Sequence, residues 1–233
     1  MTLRKRIRET TMNEVTLATE RILAERGISG SDMGSIAKDA GVAVGTLYNY
    51  FSDKDELIQY ILEKRRSELF QIVQTTLINT IGAEYQPRFR ILVEAVYTFM
   101  TSHPNYLKII FASDVIIPKK SNQKPNQKTN RSPNRSADKK EDQQKPQDPG
   151  TQTASTHLTC ELAAILQPLF AQGVKEKRIA EDLECYCAPL FVGIIRGMLI
   201  QGMASEKRNV KAECDVISHV FHFGTFPKKG NNQ

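Results

Sequence analysis

Twelve consecutive residues, Ala40-Gly41-Val42-Ala43-Val44-Gly45-Thr46-Leu47-Tyr48-Asn49-Tyr50-Phe51, constrain the fold of this chain more than any other stretch. They join a helix-ending glycine to a short amphipathic run with a single apolar side. Upstream, Ile36, Ala37 and Ala40 share one face at helical spacing, and Asp32 stands where a side-chain cap is needed, so the spacing predicts a helix over 33–40. Gly41 predicts its end, because glycine enters the left-handed conformation of a sharp turn without a Cβ penalty, and Val42 can plug the corner. A second helix over 44–51 buries Leu47 and Phe51, four apart. Val44, Gly45, Thr46, Tyr48, Asn49 and Tyr50 then face outward. Small residues at the helix start let the backbone approach a base edge, and the hydroxyl and amide groups behind them can bond phosphates or bases. The pair reads as a helix-turn-helix whose second member is shaped for a major groove.

The neighbouring segments extend the pattern. Val15, Ala18, Ile22, Leu23, Glu25 and Gly27 fit a preceding helix over 12–26, and Asp53-Lys54-Asp55-Glu56 supplies a capping box for a long helix reaching Gly82 through Leu57, Ile58, Ile61, Leu62, Leu69, Phe70, Val73 and Leu77. From Val15 to Leu57 the order of residues resembles the N-terminal domain of TetR-type transcriptional regulators, approximately I-A-x-x-A-G-V-S-x-G-T-L-Y-x-Y-F-x-S-K-E-x-L. Two positions depart from it. Ala43 replaces the usual serine, which removes a side-chain cap from the second helix and a phosphate contact. Ser31-Asp32 replaces the usual Thr-Thr, and an acidic residue there can cap a helix but does not favour a nearby phosphate.

The resemblance implies an all-α fold: a three-helix DNA-binding domain over 1–57, then a helical ligand-binding and dimerisation bundle over 58–117 and 157–226. It implies a ligand-responsive repressor, not an enzyme, that binds a palindromic double-stranded DNA operator as a homodimer and needs no cofactor. Tyr48, Lys54 and Thr46 would hold phosphates, and Val44, Gly45, Asn49 and Tyr50 would face base edges. A small apolar effector in the bundle would shift the long helix and respace the two reading helices, whose grooves lie roughly 34 Å apart.

Beyond the long helix, the apolar spacing predicts helices over 87–102, 106–115, 158–177, 183–204 and 210–223. Residues 118–156 are Lys, Asn, Gln, Pro, Ser, Thr and Asp with almost no apolar side chains, the composition of a disordered polar insertion. Residues 188–195 and 198–200 are apolar nearly all round, which demands burial on more than one side. Gly193, Gly197 and Gly202 keep part of that surface flat. In the resembling family the last two helices pair with those of a second subunit, which puts Phe191, Ile194, Gly197, Met198, Val216 and Val220 at a subunit interface. Tyr97, Met100, Tyr106, Phe111, Phe170, Phe191 and Met198 are the candidates for an apolar effector pocket, although such residues at helical spacing also serve as plain core.

The net charge of +6 is unevenly spread: residues 118–156 hold nine Lys and Arg against four Asp and Glu, whereas residues 1–66 hold eleven against ten. The expectation of DNA binding therefore rests on the motif, aided by Arg4, Lys5, Arg6 and Arg8 as a basic arm able to lie along phosphates. No apolar segment follows those residues, and the stretch 188–200 is interrupted by Arg196 and shorter than the roughly twenty residues a membrane span takes, so the expected location is cytoplasmic with no membrane partner. Cys160, Cys185, Cys187 and Cys214 lie in apolar surroundings and are expected as reduced buried thiols. His219 and His222 are three apart, too few to form a metal site. With no metal quartet, nucleophile elbow or phosphate loop, an enzyme is the weakest class. A constitutive DNA-binding protein that uses its bundle to hold a protein partner is the alternative to a repressor.

Overall fold

The computed structural model describes residues 2–112, 154–205 and 208–225, and every regular element among them is helical. The first helix, α1 (Leu3–Arg26), begins well before the expected start at residue 12. Lys5 N and Arg6 N bond the Thr2 carbonyl, and the Thr10 and Thr11 hydroxyls bond the carbonyls one turn back, so the sequence closes helical turns from the outset. Lys5, Arg6 and Arg8 therefore ride on a helix and do not form an arm. The side chain of Arg4 lies outside the described residues.

Then come α2 (Met33–Asp39), α3 (Val44–Tyr48) and the long α4 (Lys54–Asn79). Val15 and Ile22 of α1, Met33, Ile36 and Ala37 of α2, Leu47 of α3, Phe51, and Leu57 and Ile61 of α4 form one apolar cluster. Ile58 and Leu62, on the other side of α4, belong to a second and larger cluster. The helix serves both cores at once, and a boundary drawn at residue 57 cuts through a shared element. Ion pairs reinforce the junction. Arg65 donates from Nε to Glu20 Oε1 at 2.6 Å, from Nη2 to Glu20 Oε2 at 3.2 Å and from Nη1 to Glu68 Oε2 at 2.8 Å. Desolvation alone would lower the Arg65 pKa, but the bonds to Glu20 and Glu68 outweigh it and hold the cation firmly charged. The next residue, Arg66, reaches the other way, to Glu63 at 2.7 Å and to Glu161, far along the chain.

The larger core is built by α5 (Tyr85–Ser102), α6 (Pro104–Ala112), α7 (Ala154–Lys175), a 3-10 turn (Glu181–Tyr186), α8 (Cys187–Met203) and α9 (Val210–Thr225). Phe89 is at its centre, stacked on Phe221 at 4.5 Å between centroids and edge-on to Phe191 at 5.7 Å, with Phe170 at 6.4 Å. Residues 118–153 of the expected insertion, and the last residues of the helix expected to reach 115, lie outside the described residues. Residues 154–156, counted with the insertion, open α7 instead. The helix expected from 183 begins as the 3-10 turn and becomes α-helical only at Cys187.

Helix α8 buries Cys187, Ala188, Phe191, Ile195, Leu199 and Gly202, and leaves Leu190, Gly193, Gly197 and Ile200 on its outer side. The run Glu181–Met203 is 23 residues long and apolar enough, by length and composition, to cross a membrane, whereas the narrower stretch 188–200 read from the sequence is not. Gly202 does not flatten the outer surface: it is buried, and a Cβ there would collide with the Arg208 guanidinium. Cys187 and Cys214 are buried and their thiols pushed up to about 11 by desolvation, whereas Cys185 is exposed, contrary to expectation. The side chain of Cys160 is outside the described residues. Among the described residues no cluster of His, Cys, Asp or Glu could hold a metal ion. His219 is exposed against Phe223, while His222 is half-buried with Nδ1 at 2.6 Å from the Ser218 carbonyl.

Candidate nucleic-acid interface

The turn between α2 and α3 is fixed locally. Asp32 caps α2, accepting from Ser35 N at 2.9 Å and from the Ser35 hydroxyl at 2.6 Å, and these bonds hold its carboxyl below the usual carboxylate range. Gly41 takes φ +67°, and Val42 N returns to the Ala37 carbonyl at 3.0 Å, which seats Val42 in the corner. Ala43 precedes α3 without any side-chain cap, as its departure from the family pattern implied. Leu47 and Phe51 are buried as expected, although α3 ends at Tyr48 and Phe51 follows in the turn.

Val44, Gly45, Tyr48 and Asn49 are exposed and Thr46 is partly so, giving α3 an outer face of small, hydroxyl and amide groups. A Cβ added to Gly45 would meet nothing within 4 Å, so the helix start is open to an approaching surface. Tyr50 faces outward as expected, 37% exposed, but its ring also has a partner within the chain. Its ring lies beneath the Arg8 guanidinium, 5.3 Å from the centroid, and lines a groove of about 810 Å³ between α1 and the start of α4 that also holds Lys5, Met12, Tyr60 and Lys64. Only the chain reversal between α1 and α4 brings Arg8 to this place.

Lys54 also differs from its expected role. Its ammonium donates to the Ile28 carbonyl at 2.8 Å and to the Ser31 carbonyl at 2.9 Å, tying the start of α4 to the loop before α2. The box behind it is formed: Asp53 Oδ1 accepts from Glu56 N at 2.8 Å, and Glu56 Oε2 accepts from Ser52 N at 2.8 Å. Lys54→Met leaves both carbonyls without this donor, at a cost of roughly 1–3 kcal/mol. Urea unfolding should show that loss, and unchanged stability would return Lys54 to the phosphate contacts.

Of the seven residues expected around an effector, Met100, Phe111 and Phe191 line one cavity of about 90 Å³ with Leu69, Val96, Leu162 and Arg196. The other four do not. Tyr97 bonds Glu213 and Arg208, Tyr106 is buried near Glu20 and Arg65 with its hydroxyl pushed up to about 12 chiefly by desolvation, Phe170 packs in the aromatic core, and Met198 lies half-buried outside the lining. Of the residues expected at a subunit interface, Gly197, Val216 and Val220 are exposed, and Ile194 and Met198 are half-buried. Phe191 is 2% exposed and points into the chain's own core, so it leaves the set. Leu190, Ile200 and Phe223, the last 82% exposed, extend the outer apolar face and were missed. Their signal was in the sequence, at helical spacing with Gly193, Gly197 and Val220.

Two helices joined by a glycine turn, the first capped by Asp32 and the second presenting small, hydroxyl and amide groups outward, beside an all-helical bundle, define a helix-turn-helix architecture. Residues 15–61 match the family of bacterial regulatory proteins described as the tetR family. Over that segment, about a fifth of its length, the chain is similar to TetR-type transcriptional regulators. It is 32% identical over 97 residues to an uncharacterized HTH-type transcriptional regulator of Haemophilus influenzae, covering 40% of this chain and 49% of that protein. It is 28% identical over 109 residues to the HTH-type transcriptional activator FasR of Mycolicibacterium smegmatis, covering 47% and 49%. The chain thus spans about half the length of the curated relatives it matches. The likeness of fold is more extensive. The transcriptional regulator FadR from Bacillus subtilis, solved in complex with stearoyl-CoA, superposes with a TM-score of 0.64 at 15% identity, over 91% of this chain and 97% of that one.

Proposed function

We propose that the chain acts as a homodimeric, ligand-responsive repressor that places one α3 in each half-site of a palindromic operator, in the cytoplasm. The observation that carries this reading is the outer face of α3: Val44, Gly45 and Asn49 are exposed along a short helix packed against α2 and α4. Tyr48 and Thr46 flank them as phosphate contacts. The outer apolar face of α8 and α9 supplies the second half of the argument, since a two-fold related copy would cover Leu190, Ile200, Val216 and Val220 and set two α3 helices against one duplex. The small apolar effector enters the cavity lined by Met100, Phe111 and Phe191; the similarly folded regulator from Bacillus subtilis was solved with stearoyl-CoA, a ligand that includes a long acyl chain. Because α4 shares both cores, displacement of its Leu69 in the cavity wall carries to Leu57 and Ile61 beneath α3.

Capture and sequencing of genomic fragments on the purified protein tests the reading. Enrichment of an inverted repeat with half-sites one helical turn apart is the expected result; random recovery would overturn it. On that operator, Asn49→Ala should relax the preference at one base position by roughly 1–3 kcal/mol if Asn49 makes a bidentate contact. Gel shifts with operator variants read it directly.

A further inference from the structure

Helix α9 has two apolar faces. Cys214, Ile217 and Phe221 are buried in the bundle, while Val216, Val220 and Phe223 stand exposed on the side proposed to meet a second copy. His222 is the polar residue at the inner end of this helix. Its ring is steeply inclined to Phe89, with centroids 5.0 Å apart, and to Tyr85, at 5.5 Å, and Phe221 flanks it on the same helix. Nδ1 lies 2.6 Å from the Ser218 carbonyl, so this nitrogen carries the proton and Nε2 keeps the lone pair. Nε2 is buried and has no hydrogen-bond partner among the described residues. The Tyr85 and Ser218 hydroxyls are buried and equally without partners, so neither is within bonding reach of it.

A second proton would enter at Nε2 and leave a cation there without an acceptor. The titratable and charged groups around the ring offer none. His219 on α9 and Arg178 beyond the end of α7 both oppose further positive charge. From α5 comes the Tyr85 phenol, kept neutral by desolvation, and from α8 the Cys187 thiol, which donates to the Leu183 carbonyl. Glu176, just past α7, is an acid at this end of the bundle, but its carboxylate accepts from Tyr85 N at 2.9 Å and from Gln172 Nε2 at 2.6 Å. Burial holds the His222 imidazole below the usual histidine range, although the bond to the Ser218 carbonyl and the nearby helix C-terminus favour the cation.

We propose that His222 makes the seating of α9 acid-sensitive: a proton on Nε2 loosens the helix from Phe89 and Tyr85 and so withdraws the outer face that pairs two copies. The effect on pairing rests on the dimer reading; the effect on seating does not. In the unfolded chain the imidazole takes its proton near the ordinary value of about 6.5, and in the folded chain it resists. The contribution to stability is therefore complete above about pH 6.5 and is lost as the pH falls below it.

Urea unfolding and sedimentation of the full chain at about pH 7.5 and 5.5 test this. The folding equilibrium constant should fall toward the lower pH by up to about tenfold more in the wild type than in His222→Phe, the effect of one proton, while His219→Gln should behave as the wild type. Dimers should dissociate over the same interval in the wild type and persist in His222→Phe. His222→Asn, equally unable to take this proton, repeats the comparison with a smaller side chain. In the wild type itself, the His222 ring protons should keep their neutral chemical shifts at about pH 6 while the chain stays folded. An equal fall in wild type and variants, or ordinary titration of His222 in the folded chain, overturns the proposal. A chain that is monomeric at both pH values overturns the dimer reading instead, and the urea comparison still decides the seating of α9.

Discussion

Ile200→Asp together with Val220→Asp should turn the proposed dimer into a folded monomer and lower operator affinity by about 10²–10⁴-fold, the gain that linking two half-site contacts provides. Both side chains are about half exposed within one chain, Ile200 at 48% and Val220 at 49%, so neither substitution disturbs the chain's own core. Against a second copy, each places an unpaired carboxylate in an apolar seam, where desolvation is not repaid. Gly197→Leu should act in the same direction by bulk: outside its own helix backbone, a Cβ there meets nothing within 4 Å among the described residues, so the added side chain is aimed at a second copy. Sedimentation gives the state of association, circular dichroism confirms that the helices persist, and operator titration gives the affinity. Dimers that still bind would place the subunit contact on another face.

Arg65→Met should be the most destabilising single change in the N-terminal half, by about 3–5 kcal/mol, because it strands a buried carboxylate. Glu20 is 3% exposed and Arg65 7%, and their bidentate pairing is a buried polar joint between α1 and α4. Glu68, whose side chain is 34% exposed, loses its partner with less penalty because water reaches it. The double variant Glu20→Met, Arg65→Met should recover most of the loss, since a packed apolar pair needs no charge compensation. Urea denaturation of the two singles and the double measures the coupling. Additive losses in the double would mean that the two residues act independently. Their loss should also reach DNA binding, since the same joint fixes α1 to the helix that supports α3.

Helices of the bundle were legible to within a few residues, and the reason is local: Leu92, Val93, Val96 and Met100 repeat at helical spacing, and His103-Pro104 ends the run, as the boundary at Ser102 shows. The early start of α1 was missed because residues 3–11 carry only two apolar side chains, Leu3 and Ile7, both exposed; their helix is held by backbone bonds and by threonine hydroxyls that bond back one turn. The effector set divided for a different reason. Tyr97, Phe170 and Phe191 are all aromatic residues on amphipathic helices, and spacing alone assigns each a buried side. Whether that side meets Phe89, an ion pair or a void depends on helices far along the chain.

What the sequence by itself determined is the helix-turn-helix and its outward face. Its decisive interactions span only a few residues: Asp32 to Ser35, Gly41 in the left-handed turn, Val42 to Ala37, and Asp53 to Glu56. Each is a property of residue type and spacing, so each can be read before any folding is known. Only the tertiary structure decided which of those outward groups are engaged by the protein itself. The Lys54 ammonium is bound by carbonyls 26 and 23 residues away, Tyr50 by Arg8 from the far end of α1, and Arg196 meets Phe111 across the bundle. Long polar side chains reach several ångströms in any direction. Their partners are chosen by the packing of apolar faces, which the order of residues does not display.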